Sequence, residues 1–237
     1  MYKGIYIALS GATLKQTQID LISQNLANSS TPGYKKDKIS FQDYLVSQMN
    51  GMLQPSDGRT MSDISSVNTD FSNGSLIKTG NMLDIAVDGS GFISLEGNRY
   101  TRRGDLRLDS EGYLVNKNGI KILGKNGPIQ ISGNGAVEIG NKGDISVDGI
   151  QIDTIKIVDF QNNNAIKKTG EDYFITEQKG VESKAAVKQS YIETSNVDIV
   201  KEMVQMITAL REFQTYQKAI QAFDDATSKV TNDMGKI

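Results

Sequence analysis

The chain has 237 residues, 38% hydrophobic and 23% charged, with 26 basic against 28 acidic side chains and a formal net charge of -2. That length suits one large domain or two smaller ones with a packed core, and the near-neutral balance lacks the concentrated basic face that nucleic-acid binding needs. Histidine and cysteine are both absent, which removes disulfides, thiolate chemistry, the usual general base and the commonest metal ligand, so no enzyme activity, cofactor or metal is expected.

No apolar run reaches the roughly 18 residues of a membrane-spanning helix, and direct membrane insertion is not expected. The stretch Gly4-Ile5-Tyr6-Ile7-Ala8-Leu9 is soon interrupted by Ser10, Thr13 and Lys15, too early for the apolar core of a secretory signal. Composition alone therefore points to a cytoplasmic chain.

From Tyr2 to Asn28 the pattern is helical. Ile5, Leu9, Ala12, Ile19, Ile22 and Leu26 recur at spacings of three, four and seven and share one face. The opposite face carries Ser, Thr, Gln and Asn with few charges, a composition that packs in a neutral interface when hydrogen-bonded. Thr31-Pro32-Gly33 ends the helix near Asn28. Phe41, Tyr44, Leu45 and Met49 suggest a short amphipathic turn. The stretch around Gly51, Pro55 and Gly58 then reads as loop-rich chain, long for a compact domain and so an extended arm.

Between about Asn81 and Thr176 the chain reads as short strands punctuated by Gly, Asn and Asp turns. They include 84–88, 92–95, 99–101, 113–115, 120–123, 129–131, 137–139, 145–147 and 155–158. No helical pattern alternates with them, which predicts an antiparallel sandwich or barrel. Gln178 to Ser190 is polar again, and Tyr191-Ile192-Glu193 forms a last strand. Ser195 or Asn196 is the expected N-cap of a final helix running from Val197 to about Asp233. Along it, Met203, Met206, Leu210, Phe213, Gln217 and Ile220 make a heptad-like seam. Val200, Val204 and Ile207 widen that stripe beyond one face and imply more than one packing partner. The expected fold is α+β and mainly β. Residues 1–30 with 190–237 form a coiled-coil-like helical assembly domain, 31–80 with 177–189 an arm, and 81–176 an antiparallel β domain.

Several motifs resolve to ordinary structure. Gly89-Ser90-Gly91 is followed by a strand and lacks the third glycine and helix N-terminus of a dinucleotide loop, so it is a turn. Gly124-Lys125-Asn126-Gly127-Pro128 likewise lacks phosphate-loop spacing. Asp105, Asp109 and Glu111 miss the alternation of a calcium loop. Arg102, Arg103 and Arg107 are too few for a nucleic-acid face, and Lys35, Lys36 and Lys38 are expected on a solvated or inter-subunit surface. The first helix carries too few cations for a membrane-surface helix.

Four blocks carry a family resemblance. Ser23-Gln24-Asn25-Leu26-Ala27-Asn28-Ser29-Ser30-Thr31-Pro32-Gly33-Tyr34-Lys35 resembles the signature of bacterial flagellar rod and hook proteins. Asp84 to Phe92, Tyr100 to Leu106 with Asp109, Gly112, Leu114 and Val115, and Glu193 to Val197 with Met203-Val204 and Met206-Ile207 resemble three further blocks of that family, in order. The resemblance implies a structural axial subunit of the basal-body rod that transmits torque from motor to hook. The F-type, proximal-rod branch is expected, with a distal-rod G-type or hook-type subunit as the alternative. It also implies export by the flagellar type III apparatus without a cleaved signal, residence in the periplasmic rod, and other rod proteins or further copies as partners. This replaces the cytoplasmic expectation. The expected assembly residues are Ile5, Leu9, Ala12, Ile19, Ile22 and Leu26 against Met203, Met206, Leu210, Phe213 and Ile220. Asn25, Asn28 and Asn196 would satisfy backbone groups at the helix ends, where Val197 begins the last helix. Two rival classes make their own demands: an exported β-domain binding module needs an exposed aromatic patch, and a carboxylate hydrolase needs a cleft with two facing acids.

Overall fold

The computed structural model describes residues 2–45, 60–133, 135–170 and 172–234. Two compact units divide the chain: one contains 1–27, 37–68 and 198–237, the other 28–36 and 69–197. Helices stand at both ends and antiparallel strands between, as the patterning predicts.

The first unit holds α1 (Tyr2–Ala27), α2 (Ile199–Met234) and a two-stranded sheet of β1 (Asp37–Leu45) and β2 (Thr60–Thr69). The expected amphipathic turn at Phe41, Tyr44 and Leu45 is instead part of β1, while Met49 and the stretch around Gly51, Pro55 and Gly58 lie outside the described residues. In β1, Ile39 and Phe41 alternate with Lys38, Ser40 and Gln42, the two-residue period of a strand. α1 ends on schedule ahead of Thr31-Pro32-Gly33, where Gly33 takes the left-handed conformation. α2 starts later than expected. Its cap is Asp198, whose carboxylate accepts the Lys201 amide at 3.1 Å, the N-cap to N3 bond that satisfies an orphan donor. Ser195 bonds only the Val197 amide.

The second unit is the β body. Its strands are β3 (Leu76–Lys78), β4 (Ile85–Asp88), β5 (Phe92–Leu95), β6 (Arg99–Thr101), β7 (Arg107–Leu108), β8 (Leu114–Val115), β9 (Val137–Ile139), β10 (Asp144–Val147), β11 (Ile150–Thr154), β12 (Ile157–Asp159), β13 (Lys167–Thr169), β14 (Tyr173–Ile175), β15 (Val181–Glu182), β16 (Ala186–Gln189) and β17 (Tyr191–Glu193). The largest sheet runs β13-β14-β6-β5-β12-β15, a second runs β11-β10-β9, and β16-β4, β17-β3 and β7-β8 form pairs. The β10–β11 hairpin turns on Asp148-Gly149, both at positive φ, the Asp-Gly pair that a tight type I′ hairpin favours. The polar stretch 178–190 also contributes β15 and β16, and Val187 of β16 is buried opposite Val87 of β4.

Fifteen buried aliphatic residues form the main core, among them Ile85, Ile93, Leu114, Ile122 and Ile145. A smaller aromatic core groups Phe92, Phe160 and Phe174 with Phe71 and Tyr100, with Phe71 edge-on to Phe92 at 5.6 Å, a preferred aromatic geometry.

Candidate assembly interface

α1 and α2 pack antiparallel on a seam of small residues against rings. A Cβ placed on Gly4 would stand 2.9 Å from the Phe223 ring, and one on Gly11 would stand 2.6 Å from the Tyr216 ring. Lys15 Nζ meets Glu212 Oε2 at 2.6 Å. These contacts step equally in opposite directions: seven residues from Gly4 to Gly11 against seven from Phe223 back to Tyr216, then four to Lys15 against four back to Glu212. On α2 the less exposed positions follow the same rhythm: Glu202, Met206, Ala209, Phe213, Tyr216, Ile220, Phe223 and Thr227, alternating four and three residues, with Ala219 beside Ile220.

That seam shares Met206, Phe213 and Ile220 with the expected one and is otherwise rotated. Glu202, Ala209 and Tyr216 occupy the inward positions expected for Met203, Leu210 and Gln217. Met203 is 52% exposed and Leu210 40%, and they join Val200, Val204 and Ile207 on an outward apolar stripe. On α1, Ala12, Ile22 and Asn25 are buried, Ile5, Ile19 and Leu26 half-buried, and Leu9 points outward with Tyr6.

Of the three asparagines, Asn25 and Asn196 bond backbone groups through their side chains, and Asn28 bonds the Thr31 side chain. Asn25 bonds both the amide and the carbonyl of Asp37 at 3.1 and 3.0 Å. Asn28 accepts the Thr31 hydroxyl at 3.2 Å. Asn196, half-buried like Val197, accepts the Lys36 amide at 2.8 Å and donates to the carbonyl of Asp70 at 2.8 Å.

The β body encloses a charged cluster that patterning does not reveal. Lys35 Nζ lies 2.6 Å from Glu193 Oε1, and Arg102 Nη1 lies 3.3 Å from Glu193 Oε2. The side chains of Lys35, Arg102 and Glu193 are 1%, 3% and 0% exposed. The expectation of a solvated or inter-subunit Lys35 is thus overturned, because Glu193 and the Ser72 carbonyl, at 2.7 Å, replace its hydration. Arg102 also donates to the carbonyls of Val87 and Gly89 at 3.0 and 2.5 Å. Burial pulls both cations below their ordinary pKa, against the opposing pull of Glu193. Beside the cluster, Lys168 Nζ sits 3.7 Å over the buried Tyr34 ring and donates to the Lys35 carbonyl at 2.8 Å. Arg103 grips Asp105 at two points, 2.6 and 2.8 Å, and reaches Asp172 at 3.1 Å; the Asp105 hydrogen bond leads in raising its pKa. These arginines are structural.

Three family profiles match the chain: "Flagella basal body rod protein" over residues 5–35, "Flagellar hook protein FlgE/F/G D1 domain" over 86–147, and "Flagellar basal body rod FlgEFG protein C-terminal" over 188–234. Flagellar basal-body rod protein FlgG of Buchnera aphidicola subsp. Schizaphis graminum is 30% identical over 98% of this chain and 99% of its own length. FlgG of Bacillus subtilis matches at the same identity and coverage. The chain belongs to the flagellar basal-body rod protein family. Members and these relatives are structural rod proteins, not enzymes. Flagellar hook protein FlgE of Borreliella burgdorferi is 32% identical over 52% of the chain but only 31% of the hook protein.

The rod-family segments converge in the structure. The first profile spans most of α1 and ends on Lys35, the second starts at Ala86 beside the Val87 carbonyl and includes Arg102, and the third includes Glu193 and α2. The rival readings find less. Phe71, Phe92, Phe160, Phe174 and Tyr100 are spent in the aromatic core, and among the described residues no aromatic side chain of the β body is exposed. A groove of about 530 Å³ does hold Asp88, Asp159 and Glu182. However, Asp88 is paired with Lys188 at 2.6 Å and Glu182 with Lys125 at 2.7 Å. Lys125 also lowers the Glu182 pKa, whereas a general acid needs it raised.

Proposed function

We propose that this rod-family chain is an axial subunit that polymerises through its terminal helices and carries torque from motor to hook. The observation that carries this reading is the division of α2 into two stripes. One is used up against α1, and the other leaves Val200, Met203, Val204, Ile207 and Leu210 exposed. A contiguous outward apolar stripe marks an interaction surface. Heterologous contacts that do not close generate a helical polymer, and the antiparallel pair acts in it as a coiled coil. Leu9, Met203 and Leu210 then face neighbouring subunits, while Ala12, Ile22, Asn25, Asn28, Phe213 and Ile220 hold the subunit's own fold. Ile5, Ile19, Leu26, Asn196, Val197 and Met206 lie at the margin between the two roles. In this reading 1–27, 37–68 and 198–237 are the assembly domain and 28–36 with 69–197 the outer body, so the stretches 31–80 and 177–189 expected as an arm divide between the two. The partners are other rod and hook subunits and further copies. The chain reaches the periplasmic rod through the flagellar type III apparatus.

The G-type, distal-rod branch is supported by relatives named FlgG that align over 98% of the chain. The F-type, proximal-rod alternative rests on the short arm and compact β region. A map of the basal body that assigns this chain to a rod layer decides between them. Ile207→Asp tests the assembly surface itself. Cells relying on that variant lose rods and motility while the purified chain melts within about 0.5 kcal/mol of the parent, as exposed substitutions do. Normal motility would count against the reading.

A further inference from the structure

The exposed stripe of α2 leaves the buried Lys35–Glu193–Arg102 cluster unexplained, because none of its three side chains reaches the surface. Its place along the chain is informative. The β body comprises 28–36 and 69–197, so the chain passes between the units after residues 27, 36, 68 and 197. Lys35 stands one residue before the second passage and Glu193 four before the last. The two are 158 residues apart in sequence.

Glu193 binds three segments at once. Its carboxylate takes Lys35 Nζ at 2.6 Å, Arg102 Nη1 at 3.3 Å and the Gly74 amide at 2.8 Å, and its carbonyl takes the Gly33 amide at 2.8 Å. Asn196 extends the same contact through the Lys36 amide. The cluster holds two cations to one carboxylate. Without Glu193, both cations are buried unpaired; without Lys35, a balanced Arg102–Glu193 pair survives. Removing one partner of a buried pair is costly because the remaining charge is desolvated and uncompensated.

We propose that Glu193 is the keystone of a clasp that locks the 33–36 stretch to the 190–196 stretch and to Arg102, so that the two stretches open and close as one cooperative element. Its use, keeping the β body from opening under torque, rests on the rod reading; the clasp itself does not.

Native-state hydrogen exchange on the full-length chain tests it, since cooperative units lose protection together. In Glu193→Gln, protection of the Gly33, Lys36 and Gly74 amides falls by about tenfold or more. The Ile85 and Ser94 amides, bonded within the body to Gly104 and Lys156, fall by less than about threefold. Lys35→Met has a smaller effect than Glu193→Gln at the same three amides. The double variant Lys35→Met/Glu193→Gln, with one unpaired cation instead of two, recovers part of the loss and supplies the same readout, against Lys35→Met, if Glu193→Gln does not fold. An equal fall at all five amides, no fall at Gly33 and Gly74, or a larger effect of Lys35→Met than of Glu193→Gln would overturn the clasp. None of these outcomes touches the assembly surface, which Ile207→Asp tests separately.

Discussion

Gly104→Ala should be among the most damaging single-methyl changes in the β body, although the backbone of Gly104 is not left-handed. A Cβ there would stand 1.7 Å from the Ile85 carbonyl oxygen and 2.8 Å from its carbon. Both are backbone atoms and cannot rotate aside. Reaching the 3.4 Å of ordinary contact requires the two chains to part by about 1.7 Å. That movement breaks the 2.9 Å bond from the Ile85 amide to the Gly104 carbonyl, worth about 1 kcal/mol net. It also loosens Ile85 and Leu106, both buried in the main core, and forced overpacking of that kind costs about 1–3 kcal/mol. The expected loss is about 2–4 kcal/mol, or roughly 4–16 °C in Tm at 2–4 °C per kcal/mol. Gly119→Ala is the control: φ is +80° with nothing within 4 Å of the added methyl, so its cost is backbone conformation alone, about 1–2 kcal/mol. Thermal unfolding followed by near-UV circular dichroism of the tyrosines measures both. If Gly119→Ala proves the costlier, or Gly104→Ala melts within about 1 kcal/mol of the parent, close backbone approach is not what selects glycine at 104.

Gly11→Val places a branched side chain where a Cβ alone would meet Tyr216 at 2.6 Å; it abolishes rod assembly in cells, and Tyr216→Ala in the same chain restores some of it by vacating the space. Arg103→Lys gives up the two-point grip on Asp105 and costs about 1–3 kcal/mol in a denaturant melt, whereas Arg107→Lys, on an exposed strand, stays within about 0.5 kcal/mol. Exchanging the partners of the Lys15–Glu212 pair, which is 20% and 46% exposed, changes stability by less than about 1 kcal/mol because solvent screens it.

Helix limits and most strands were legible because each has a local signature. α1 ends at Ala27, ahead of Thr31-Pro32-Gly33, and the short β runs are cut by Gly, Asn and Asp turns. The seam of α2 was only half legible. Hydropathy prefers Met203 to Glu202 and Leu210 to Ala209, whereas farther along the seam Gly4 and Gly11 leave room for the rings of Phe223 and Tyr216, a fit between helices that hydropathy along one helix does not register. β1 was missed because Phe41, Tyr44 and Leu45 also satisfy a helical spacing. β16 was missed because only Val187 in it is buried, so the stretch looks polar. The ion cluster left no periodic trace at all. Lysine, arginine and glutamate read as surface by default, and a pairing across 158 residues has no local pattern. The family resemblance pointed to the segments of Lys35, Val87, Arg102 and Glu193 but not to the 72–74 stretch that joins them, and did not indicate that they meet.

The outward stripe of α2 also bears on when assembly happens. Its five residues are 40–72% exposed, and fully burying such a side chain is worth about 1.5–3 kcal/mol. Covering the exposed portion of all five therefore yields roughly 4–8 kcal/mol. Association of two proteins costs an estimated 4–15 kcal/mol in lost freedom before any net affinity is seen. One stripe against one neighbour thus comes out near zero, and a subunit is held only where several neighbours contact it together. The purified chain should accordingly remain monomeric at tens of micromolar in sedimentation velocity, and join a preformed rod end far more readily than it pairs in solution. A stable dimer that Ile207→Asp dissolves would show that a single stripe suffices, and would overturn this account of why several neighbours are needed.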